Sequence, residues 1–424
     1  MDRLPATGLV MIISIFSGCA AFRRICLVLA IQSFCSWMLV AALPIIVAAR
    51  FGAGAELIGS LALRLLPRIL FAPLAAALIR KAGPRVPVLC AIAGVATAIP
   101  AVTLAPNAVT VQAIILLIGL ADTVIAPGLL TLRSASVPPG RNMEANTAFQ
   151  AIDRFAKIFG PPAAGLAAAM ASISATLLVL ALGHLIAATL LVPRPPGSSD
   201  PREPTVSPTR NTWREAFAIM RGNPLLWALL IPAFGYMVSL GALQPFLLWL
   251  NRDQFHLGPE MWTMLLGAQG AGALLGVFVS NCIAKTLIDT RTLLLAYLFA
   301  SLLEGISTFM LIFAPSHGAA MALLIVGGVP EMIAFATYFT LVQRCLCLER
   351  QVLFYALSLP LMDLGLMIGV LSGAMHASGP MTLGQFWLFA CACTVLPVLP
   401  FLKWRKRAGR HRAAAQDQKH QRQP

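Results

Sequence analysis

From Arg24 onward the chain alternates between long apolar runs and short polar interruptions. The apolar runs fall at about 24–48, 57–79, 86–105, 109–132, 146–169, 173–192, 225–250, 261–284, 290–314, 318–341, 352–375 and 383–402. Each is close to the roughly 20 residues that a helix needs to cross the hydrocarbon of a bilayer. The pattern therefore predicts an all-α membrane protein with twelve transmembrane helices. The longest polar interruption is "PRPPGSSDPREPTVSPTRNTWREAF", Pro193 to Phe217, whose Pro, Ser and charge content suits a linker. The expected order is a lead-in over 1–23, a six-helix bundle over 24–192, and a linker with an amphipathic helix over 193–224. A second six-helix bundle over 225–402 and a basic tail over 403–424 follow.

Composition agrees with the pattern. Of the 424 residues, 58% are apolar and 11% charged, against roughly a quarter charged in a soluble domain. No soluble core could use so much apolar surface, so the excess must face lipid.

The 31 basic residues orient the chain. With both termini inside, 25 fall in cytoplasmic segments, two (Arg50 and Arg252) in outside loops, and four (Arg64, Arg68, Arg154 and Lys157) within spans. That bias is the positive-inside rule, and an odd number of spans would scramble it. The net charge of +15 is spread over the cytoplasmic loops. This excludes a nucleic-acid partner, and the tail "KWRKRAGRHR" is expected at anionic headgroups. The apolar stretch "LVMIISIFSGCAA", Leu9 to Ala21, is short and resembles a secretory signal. As a thirteenth span it would put Arg23 and Arg24 outside. An interfacial lead-in, or a start placed too early, is expected instead.

No catalytic set emerges. The nine cysteines lie mostly within spans, and Cys345 and Cys347 form a lone C-x-C, too little for zinc. There is no phosphate-cradling glycine loop, no metal-spaced His cluster and no Ser-His-Asp set. His184 and His376 are solitary and read as structural. No enzyme, cofactor or metal is expected.

Ionic groups inside the spans are the informative positions. A charge at mid-bilayer costs several kcal/mol, roughly 2.5–3.5 on insertion scales, so it must face protein or water. Arg64 and Arg68 are i,i+4 and share a helix face. They are expected to pair with Asp122, Asp153, Glu304, Glu331 or Asp363, or with an anionic substrate; equally, they could only cement spans. Asp153 and Lys157 are also i,i+4 and read as a structural pair, with Arg154 beside them. Glu304 has no evident role. A shift of 209 residues lays "GLADTVIAPGLLT", from Gly119, over "GVPEMIAFATYFT", from Gly328, and matches Asp122 with Glu331. Six-plus-six with matched acids suggests an internal duplication.

At this point the chain resembles the major facilitator superfamily, and more narrowly its enterobactin-exporter and macrolide-efflux branch. Three stretches carry the likeness: "EANTAFQAIDRFAKIFGPPAAG" (Glu144–Gly165), "WREAFAIMRGNPLLWALL" (Trp213–Leu230) and "GAQGAGALLG" (Gly267–Gly276). The resemblance implies two pseudo-symmetric bundles with spans one, four, seven and ten around a central cavity. Asp122 and Glu331 would then face that cavity as proton-coupling or substrate groups, with Arg64, Arg68, Asp153, Arg154 and Asp363 as further candidates. Gln32, Ser36 and Trp37 on span one, and Tyr236, Ser239 and Gln244 on span seven, would line it. One departure stands out. The loop "AALIRKAGPR" keeps Gly83 but has Arg80 where the family pattern expects an acid, so the family's charge latch cannot form from these residues.

The implied function is proton-coupled export of a small amphiphilic molecule, a siderophore first and a drug-like compound second. An importer of the same fold, or a non-transporting sensor or scaffold, is the alternative. Substrate, protons and the lipid bilayer are the expected partners. A monomer in a bacterial inner membrane, with both termini cytoplasmic, is the expected setting.

Overall fold

The computed structural model describes residues 20–52, 54–137, 142–192, 212–258, 260–283, 289–346 and 348–401. The lead-in over 1–19, the linker over 193–211, Cys347 and the tail beyond Phe401 lie outside the described residues. Most of those described are helical, with no strand among them.

The helices, in chain order, are α1 (Ala20–Phe51), α2 (Ala55–Leu70), α3 (Ala72–Ala82), α4 (Arg85–Leu104), α5 (Ala108–Ala135), α6 (Asn142–Met170) and α7 (Ile173–Leu191). Then come α8 (Thr212–Gly222), α9 (Pro224–Trp249), α10 (Trp262–Ile283), α11 (Thr290–Phe309), α12 (His317–Cys345), α13 (Leu348–Ala377) and α14 (Leu383–Val395). A π-helical turn, Leu250–Gln254, extends α9, and a 3-10 turn, Met310–Phe313, extends α11.

Among the described residues, ten helices are long and apolar enough to cross a membrane unaided. The second expected span is instead two helices, Ala55–Leu70 and Ala72–Ile79, bent by 56°. Pro73 explains the break. It has no N–H to donate to the turn before it, so α2 stops at Leu70 and α3 restarts on the Phe71 carbonyl, to which Ala75 N donates at 2.9 Å. The fifth expected span is α6. Its 29 residues are ample in length, but Asp153, Arg154 and Lys157 leave it less apolar than the other spans.

Packing divides the chain into two compact units. The first holds the N-terminal residues to Pro208, together with Pro245–Ala271 and Gly373–Pro380. There α1 lies against α6 and α7, α2 against α5, and α4 between α5 and α7. Basic side chains tie helix ends together by taking carbonyls that a helix C-terminus leaves open. Arg50 donates to Val102 O (3.0 Å) and Ala105 O (2.6 Å) at the end of α4. Arg24 and Arg85 donate to Leu190 O (2.5 Å) and Leu191 O (2.7 Å) at the end of α7. Trp249 stacks edge-on against His376, with centroids 4.5 Å apart.

The second unit holds Thr209–Gln244, Gly272–Ser372 and Met381–Pro424. Here α11 packs on α12 and α14. Its core gathers Met220, Leu226, Leu229, Tyr297, Leu341 and Phe354. On α8, Met220 is buried in this core while Arg221 beside it is exposed. Close helix approach also rests on small residues. A Cβ on Gly272 of α10 would sit 2.2 Å from Ile325 O of α12.

Large apolar side chains remain exposed along the helices, among them Leu178, Val179, Leu182 and Leu185 on α7. On a soluble protein such a face would be an aggregation site; on a membrane helix it is the surface that lipid covers.

Candidate functional site

In the first unit the charges inside the helices are paired by neighbours. Arg64 on α2 donates from Nε (3.2 Å) and Nη2 (3.1 Å) to Oδ2 of Asp122 on α5. The two side chains are only 16% and 21% exposed. The contact depends on Gly119, one turn before Asp122. A Cβ there would lie 2.4 Å from Arg64 O, so only glycine lets α2 come close enough. Arg68, one turn further along α2, is exposed rather than buried beside Arg64. Both stand on one face of α2, with Arg68 nearer its end at Leu70.

A second cluster joins α1 to α6. Trp37 Nε1 donates to Asp153 Oδ1 at 3.3 Å, and Lys157 Nζ stands 5.7 Å from the centroid of the Trp37 ring. The indole thus serves both members of the i,i+4 pair, as hydrogen-bond donor and as cation–π face. Gln32 Nε2 donates to Ser36 Oγ at 2.9 Å within α1. Arg154 is half-buried on α6. His184 is fully buried, its Nδ1 2.8 Å from Leu180 O.

The second unit contains a pocket of about 480 Å³ of empty space, its open side included. Its walls come from α9, α11, α12 and α13. Tyr236 on α9 lines it, as do Glu304 on α11 and Glu331 on α12. Glu331 is the midpoint of α12, and Asp122 stands at the middle of α5. Ser239 is buried and Gln244 half-buried on α9, and neither is part of this wall. Asp363 is half-buried on α13 in the same unit.

Glu304 is the residue that sequence reasoning left without a role. It is 7% exposed. Oε1 accepts a hydrogen bond from Thr308 Oγ1 at 2.9 Å, and Oε2 has no hydrogen-bond partner. Glu331 lines the same pocket. A signal was present in the chain: Tyr297, Ser301, Glu304 and Thr308 recur at helical spacing and form a buried polar stripe on α11. Aromatic side chains of α12 supply much of the remaining wall. Phe335 and Phe339 meet edge-on at 4.7 Å, and Tyr338 meets Phe339 at 5.3 Å and Tyr297 at 6.0 Å.

Among the described residues no three His, Cys, Asp or Glu side chains gather as a metal site. The arrangement is a pocket among the helices of the second unit, lined by a buried Glu304 and a half-buried Glu331.

Comparison with known proteins places the fold. A nucleoside transporter, NupG, has a crystal structure that superposes with a TM-score of 0.70 at 13% identity, covering 91% of this chain and 98% of that one. A single-residue variant of NupG gives 0.71 at 12% identity, covering 90% and 99%. A bacterial metal transporter gives 0.64 at 14% identity, covering 91% and 98%. At these identities the likeness is one of fold. No curated protein sequence matches the chain. The sequence profile of the Major Facilitator Superfamily matches residues 25–369. A multi-pass helical chain that matches this profile over most of its length belongs to the major facilitator superfamily, and it is a membrane transporter rather than an enzyme.

Proposed function

We propose that this chain is a proton-coupled secondary transporter that exports a small amphiphilic molecule by alternating access. The observation that carries the reading is a pair of carboxylates at the middle of corresponding helices: Asp122 on α5, gripped by Arg64, and Glu331 on α12, in the wall of a pocket. An anion at that depth is costly, so a carboxyl group there can take up and release a proton as its surroundings change. Export, rather than import, draws on the resemblance of Glu144–Gly165 and Gly267–Gly276 to the enterobactin-exporter and macrolide-efflux branch. That resemblance makes a siderophore or related metabolite the first candidate and a drug-like compound the second. The solved neighbours carry nucleosides or metal by their names, but share too little sequence to lend this chain a substrate.

The test is efflux from everted membrane vesicles carrying the full chain, with and without a proton gradient. Accumulation that collapses with a protonophore, and is lost in D122N and E331Q, is the expected result. Gradient-independent transport, unchanged in both variants, overturns the proposal. Comparing secreted metabolites of a producing strain with those of its deletion strain identifies the cargo.

A further inference from the structure

We propose that the pocket in the second unit binds a small organic monocation, held by the Glu304 carboxylate and aromatic walls. The proposal deepens the transporter reading by naming a substrate class, and rests on it for biological meaning.

Three observations converge. Glu304 is buried, yet one of its oxygens has no hydrogen-bond partner, and the residue lines the pocket. Buried polar atoms are nearly always satisfied, so an orphaned carboxylate oxygen at a cavity marks where a ligand's positive end belongs. Glu331 lines the same chamber and adds negative character, while no Lys or Arg stands among the described residues that line it.

The remaining wall narrows the ligand. Aromatic faces attract an ammonium, most strongly when water is excluded. Tyr338, Phe339 and Phe335 pack as neighbours beside the two glutamates. A proton alone would need neither these rings nor a cavity. A bare hard metal ion takes six or more oxygen ligands, and no three His, Cys, Asp or Glu gather among the described residues. The cavity itself measures about 50 Å³, room for a few waters or one small cationic head group. A small ammonium head group fits both the volume and the chemistry. In the first unit, Arg64 already answers Asp122. Of the two substrate candidates, this pocket favours the drug-like cation.

The experiment measures binding of tetramethylammonium to the purified full-length protein in detergent by equilibrium dialysis, with methanesulfonate as an anion of similar size. Saturable one-to-one binding of the cation is expected. It should weaken about tenfold or more in E304Q and stay at wild-type strength in D253N, which removes an exposed carboxylate elsewhere. The sulfonate should not compete. Wild-type affinity in a monodisperse E304Q, equal competition by the sulfonate, or no saturable binding each overturns the proposal. Should E304Q not fold, wild-type protein alone decides. The ammonium should protect Glu304 from dicyclohexylcarbodiimide, read by mass spectrometry, and equal labelling with and without it overturns the proposal. Cation binding without vesicle efflux would sink the transport reading alone. Vesicle efflux without cation binding would sink this inference alone.

Discussion

Arg64 directs two nitrogens onto a single oxygen of Asp122, across two helices that touch only because Gly119 has no side chain. The ion pair and the glycine are one device: the small residue sets the distance, and the charges use it. With both side chains mostly buried, breaking the pair leaves an ionic group in a poor environment. R64Q or D122N alone should lower the thermal midpoint in detergent. The neutral double variant R64Q/D122N should lose less than the two singles together. A double-mutant cycle should return a coupling of about 1–3 kcal/mol; additive effects would show that the pair is not energetically joined.

Gly119 makes a separate prediction. Even G119A puts a methyl carbon against the Arg64 carbonyl, so α2 must shift, at about 1–3 kcal/mol. Gly94 on α4 is the internal contrast, since a Cβ there meets nothing within 4 Å. G94A should stay within about 1 kcal/mol of wild type, on the stabilising side because alanine favours the helix. Thermal midpoints of the two variants, measured side by side, check the difference. Equal effects would remove the close-approach argument.

Trp37 has two jobs, and substitutions separate them. W37F keeps a ring under Lys157 but loses the donor to Asp153, and should cost about 0.5–1.5 kcal/mol. W37L loses both and should cost more. Equal stabilities of W37F and W37L would show that the ring's attraction for Lys157 contributes nothing.

Asp289, just before α11, gives the pH dependence. Its carboxylate accepts hydrogen bonds from the Thr292 hydroxyl and from Thr292 N (2.9 Å), which hold its pKa below the usual aspartate value. A depressed folded-state pKa contributes stability above the unfolded value, and that contribution fades as pH falls through the folded one. Hydrogen exchange at the first turn of α11, corrected for intrinsic rate, should therefore rise as pH drops from about 5 to about 3. D289N, still able to cap, should lose that acid dependence. An unchanged profile in D289N would show that another group titrates.

Much of this protein is written in its hydropathy. The limits of α4, α5 and α7 follow the apolar runs to within a few residues, because a helix in lipid must satisfy its own backbone and its length is set by the bilayer. The matched acids Asp122 and Glu331 were also visible, since a charge inside an apolar run stands out whatever its partner. The break at Phe71 was less so: Pro67 lies within α2 without ending it, whereas Pro73 starts a new helix. Sequence shows both prolines and not which one the packing allows to bend.

What the chain determined by itself is that it lives in a membrane as a set of helices, with ionic groups where lipid should be. Apolar length and buried charge are local properties, readable one residue at a time. Only the tertiary structure decided that Arg64 takes Asp122 while Arg68 stays exposed, that Trp37 sits between Asp153 and Lys157, and that Glu304 shares a pocket with Glu331. Those outcomes depend on which helix lies beside which, and at what rotation. Side chains dozens of residues apart meet only when packing brings their helices into contact.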